Sequence, residues 1–113
     1  MLRHSQTAVI SRNEKISGTF ETEPFEAGWA QEAIAFITIL ESNARLETVS
    51  GLATIEVSPD GLRWTSGGTA FGIPLGRDKV SMGRIAHFGN WLRLVIELPP
   101  QVETKVIVTL HLK

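Results

Sequence analysis

"AIAFITILES", residues 33–42, decides the fold class. Two patterns overlap in it. Ala30, Ala33, Ile34, Ile37 and Leu40 would line one stripe of a helix. Against that, Ile34, Phe36, Ile37, Thr38 and Ile39 are β-branched or aromatic, and such side chains suit a pleated surface. The run is short and β-rich, so the reading is a buried strand, with a helix as the alternative.

The segments on either side agree with the strand. "LATIEVS" (52–58) alternates, with Ala53, Ile55 and Val57 on one face. "WLRLVIEL" (91–98) places Leu92, Leu94 and Ile96 on one face and Trp91, Arg93, Val95 and Glu97 on the other. "TKVIVTLHLK" (104–113) directs Val106, Val108, Leu110 and Leu112 inward, and Lys105, Ile107, Thr109 and His111 outward. Shorter strands are expected at 7–11, 16–22, 62–66 and 69–73, and "PFEAGW" (24–29) reads as a loop. A further strand at 79–88 has Val80 and Met82 on one face. Strands with turn residues at short intervals predict an all-β fold: a single-domain, two-sheet β-sandwich with jelly-roll topology. The domain spans 1–113, with 1–15 expected as a looser N-terminal arm.

Ser58-Pro59-Asp60-Gly61 joins two of these strands. Pro59 presets φ for a turn, Ser58 and Asp60 can bond nearby N–H groups, and Gly61 accepts positive φ and would form a G1 bulge. Trp64 is expected on the return strand, packed into the core. The stretch also resembles the Asp-box of sialidase-type propellers, Ser-x-Asp-x-Gly-x-Thr-Trp. Here it lacks one residue before the glycine and occurs once, whereas a propeller repeats it across blades.

Chemistry finds little support. The chain has no cysteine, which excludes thiolate zinc sites and a Cys nucleophile. His4, His87 and His111 are scattered, with no metal-ligand spacing, and "SGGTAFGIPLG" (66–76) lacks the Lys-Ser/Thr of a phosphate loop. No catalytic residue, metal or cofactor is therefore expected. A net charge of −1 argues against nucleic acid as a partner. The longest apolar run falls far short of the roughly 20 residues of a membrane helix. The start "MLRHSQTAVISRNEK" has no secretory apolar region, so synthesis in the cytoplasm is expected.

Charge is uneven along the chain. Residues 14–60 hold nine acids and two bases, and residues 61–93 hold five bases and one acid. If these regions map to different faces, copies could dock head to tail or in a ring. If the strands interleave, the charges mix.

"GTFET", "AIAFITILES", "ATIEVSPDGLRW", "FGNWLRLVIEL" and "VIVTLHL" occur in this order across residues 16–112. In order and spacing they resemble small β-sandwich proteins common among phage and prophage structural genes. The resemblance implies a non-enzymatic structural or assembly module, working as a homo-oligomer or within a larger protein assembly such as a virion. The alternative is a carbohydrate-binding module in which exposed tryptophans serve as sugar platforms. The candidate interface or ligand residues are Trp29, Trp91, Arg93, Arg84 and Asn90.

Overall fold

A computed structural model describes residues 6–43 and 50–113. Among the described residues nine strands make up the fold: β1 (Gln6–Ser17), β2 (Thr19–Glu21), β3 (Phe25–Glu26), β4 (Glu32–Ser42), β5 (Ser50–Ser58), β6 (Thr65–Pro74), β7 (Val80–Ala86), β8 (Trp91–Glu97) and β9 (Glu103–Leu112). The helix alternative for 33–42 is thereby excluded.

The strands build two antiparallel sheets. One has the order β1-β9-β4-β7, the other β2-β8-β5-β6, with β3 also pairing β8. The pairs β1·β9, β2·β8, β4·β7 and β5·β6 are nested, each enclosing the next along the chain. The segment that forms β1 in one sheet resumes at Thr19 as β2 in the other. Between them the Gly18 carbonyl accepts a hydrogen bond from the Leu98 N–H at 2.9 Å.

Between the sheets lies one core. Ile37, Ile39, Ile55, Leu92, Leu94, Ile96, Val106, Val108, Leu110 and Leu112 are fully buried there. These are the inward positions read from the alternation of 91–98 and 104–113. Burying a side chain of this size contributes about 1.5–3 kcal/mol. Along one side of the sandwich, Phe71 on β6 lies against Gly83 on β7, where any Cβ would collide with the ring. Only glycine permits that approach.

Several expectations are corrected. The strands expected at 7–11 and 16–22 are one long strand to Ser17, followed by short β2. Register shifts between Val9 and Ser11 and between Ser11 and Glu14 break its alternation, which hid its length. From Gln6 onward the expected loose arm is thus an edge strand paired to β9, while residues 1–5 lie outside the described residues. The 24–29 loop contains β3. The strands expected at 62–66 and 69–73 are a single strand, β6, and its irregularity against β5 falls at 66–69 and not at Gly61.

Trp64 is outside the core. It is half-buried, with its ring over the guanidinium of Arg93 on the outer face of the five-stranded sheet. The cause lies in Asp60. Its Oδ1 accepts hydrogen bonds from the Leu62 and Arg63 N–H groups, at 2.8 and 2.9 Å. With those donors spent inside the loop, pairing resumes only at Thr65, opposite Val57.

Candidate protein interface on the four-stranded sheet

An antiparallel strand with one solvated face alternates apolar and polar residues. β4 does not. Its inner face is Ala33, Ala35, Ile37 and Ile39, all buried. Its outer face carries Ile34, Phe36, Thr38 and Leu40, all half-buried.

The neighbouring strands extend this outer face. Phe36 lies between Met82 of β7 and Thr109 of β9, with Val9 of β1 beyond Thr109. Thr38 lies between Val80 and Ile107. Val80 is 58% exposed, and Val9 and Met82 are also exposed. Val80 and Met82 do share a face, as read from sequence, and that face points outward. The result is a broad apolar surface across all four strands.

At one end of this surface Ile34 lies between Arg84 and His111. A shallow hollow opens here, lined by Glu32, Ile34, Arg84, Ala86 and Lys113 among others. Among the described residues, neither Glu32 nor Arg84 has an ion pair. His111 Nδ1 lies 3.0 Å from Thr7 Oγ1.

The residues singled out from the sequence divide between the two sheets. Arg84 belongs to the apolar face. Arg93 is on the opposite face of the sandwich, and its Nη2 lies 2.8 Å from Glu21 and 2.7 Å from Glu56. Both carboxylates come from the acidic half of the sequence, so this basic residue is consumed within the chain, and the charge split is partly mixed by interleaving. Arg45 and Glu47 lie outside the described residues, as does His4.

Trp29, Asn90 and Trp91 do come to one end of the molecule. The Ala27 N–H donates to the Asn90 carbonyl at 2.6 Å, and Glu26 pairs with Trp91. Trp29 is exposed on the adjoining turn, while Trp91 is half-buried with its ring against Gly61. The two candidate arginines, Arg84 and Arg93, are thus on two different faces. Among the described residues no group of three or more His, Asp or Glu could hold a metal ion.

The loop between β5 and β6 sits at this same end and was underrated in the sequence. Ser58 Oγ accepts from the Gly61 N–H at 2.8 Å and the Asp60 N–H at 3.2 Å, and Asp60 Oδ2 pairs with Arg63 Nη1 at 2.9 Å. Bonds from the backbone N–H groups of Arg63 and then Leu62 hold the Asp60 carboxyl below the usual aspartate range. Gly61 takes φ +78°. In this cross-braced loop Leu62 stands out, 81% exposed.

No family model and no curated protein matches the sequence. Among solved structures the fold is similar to that of the SPBc2 prophage-derived protein YomS. The TM-score is 0.61 at 12% sequence identity, covering 99% of this chain and 96% of that one. A lower likeness, TM-score 0.49 at 11% identity, is to PirA, over 100% of this chain and 96% of that one.

Proposed function

We propose that this domain is a non-enzymatic structural module that docks onto other protein subunits of a phage-type particle through the outer face of its four-stranded sheet. The observation that carries this reading is that β4 is apolar on both faces. Ile34, Phe36 and Leu40 have no use on a solvated sheet, whereas contiguous exposed apolar surface marks protein interaction sites. The fold shared with a prophage-derived protein supports the particle context. The nested strand pairing supports a jelly-roll reading, an architecture at home in viral shells.

The size of the face says how it would work. Four strands about 4.8 Å apart, matched over about seven residues of roughly 3.4 Å each, give about 450 Å² per copy. Two such faces bury about 900 Å², short of the roughly 1,200 Å² at which stable pairwise interfaces begin. Contacts of this size suit an assembly, in which several weak contacts act together.

Met82→Lys tests the reading, because Met82 is exposed and a lysine there leaves the core intact. Sedimentation should show concentration-dependent association of the wild type, lost in Met82→Lys at an unchanged melting temperature. Identical sedimentation of the two proteins would refute this face as the docking surface.

A further inference from the structure

We infer that the hollow at the end of the four-stranded sheet receives the Leu62 loop of a second copy of this chain, so that copies join through two different patches. The inference rests on the docking role proposed for that sheet and names its occupant.

Shape and charge both point to it. The loop presents one apolar side chain, Leu62, flanked by Asp60 and Arg63. The hollow presents Ile34 and Ala86, flanked by Glu32 and Arg84, with His111 and Lys113 also on its rim. A knob bearing a carboxylate and a guanidinium meets a recess bearing a guanidinium and a carboxylate. Arg63 uses one Nη1 donor on Asp60 and is mostly exposed, so its remaining N–H groups can reach Glu32 while Asp60 Oδ2 accepts a second bond from Arg84.

The loop is also set in advance. Its hydrogen bonds to Ser58 and Asp60 fix the backbone before any partner arrives, so little freedom is lost on docking. A copy cannot fill its own hollow. The loop folds over the outer face of one sheet, as the stacking of Trp64 on Arg93 shows, and the hollow opens on the outer face of the other. Two different patches meeting in this way form a heterologous contact, which propagates into rings or open arrays.

Complementation between two variants tests this. Leu62→Asp spoils the loop and keeps the hollow, and Ala86→Lys spoils the hollow and keeps the loop. Both positions are exposed, so both variants should melt like the wild type. Sedimentation should show each variant alone associating at least tenfold more weakly than the wild type. An equimolar mixture should form a dimer that grows no further, because one intact loop meets one intact hollow. Association of Leu62→Asp at wild-type strength, or a mixture that stays monomeric, would overturn the inference. If Leu62→Asp still assembles while Met82→Lys does not, the docking face stands and only its occupant is wrong. If Met82→Lys assembles as well, or the wild type is monomeric throughout, both the face and the occupant fall.

Discussion

The guanidinium carbon of Arg93 lies 4.4 Å from the centroid of the Trp64 ring. The same guanidinium bridges Glu21 of β2 and Glu56 of β5. One side chain thereby ties the edge of the five-stranded sheet to its centre and clamps the loop that carries Leu62.

Arg93→Ala should therefore cost more than a surface ion pair. Arg93 and Glu56 are largely shielded while Glu21 is half-exposed, so a loss of about 1–3 kcal/mol is expected from the pairs and the ring contact. Arg93→Lys should recover only part of it, because an ammonium cannot reach two carboxylates with a planar fork while lying flat on a ring. Urea unfolding measures both losses, and Trp64 emission should shift to the red in each variant.

Gly61→Val should destabilise the fold by about 1–3 kcal/mol, because a β-branched residue at φ +78° is strained. A Cβ at this position also sits 3.4 Å from the Trp91 ring, which leaves a branched side chain little room. A thermal melt equal to that of the wild type would contradict the strain.

Acid should loosen the β5–β6 loop. The folded carboxyl of Asp60 titrates below its unfolded value, held down by the Arg63 and Leu62 N–H groups. A depressed carboxylate contributes stability above the unfolded value, about 3.9, and the contribution fades as pH falls through the folded one. Asp60→Asn should flatten this acid limb of the stability curve. Melting the two proteins at stepped pH from 6 downward checks the sign: their difference must shrink as the solution becomes more acid.

β9 should be indispensable. It is the inner strand between β1 and β4, and Val106, Val108, Leu110 and Leu112 are all buried. Leu110→Ala should cost about 2–5 kcal/mol by denaturant unfolding. A chain ending at Glu103 should be insoluble or unfolded, and a cooperative melt from it would contradict the role assigned to β9.

The strands with clean period-two patterns were legible in sequence down to the inward residue, as Leu92, Leu94 and Ile96 show. β1 was less so, because two register shifts reverse its alternation. Trp64 misled because large aromatics favour cores, while the hydrogen bonds of Asp60 that exclude it involve backbone donors no composition reveals. The candidate face was half legible. "AIAFITILES" announced a strand apolar on both sides, yet only the pairing with β7 and β9 shows that Val80, Met82 and Ile107 join it on one surface. Arg93 had looked available, and the residues that claim it, Glu21 and Glu56, are distant in sequence.

The register of β1 on β9 sets how the domain bears tension. Gln6 pairs with Leu112 at one end of that ladder, and Ser17 with Glu103 at the other. Pulling Gln6 away from Leu112 loads the hydrogen bonds one rung at a time, like a zipper, so the domain opens at low force along that line. Pulling across the sheet faces loads the packed core all at once. Stress that enters through the two ends of the chain would therefore be released first on this ladder, whereas stress across the sheet faces would be carried by the core.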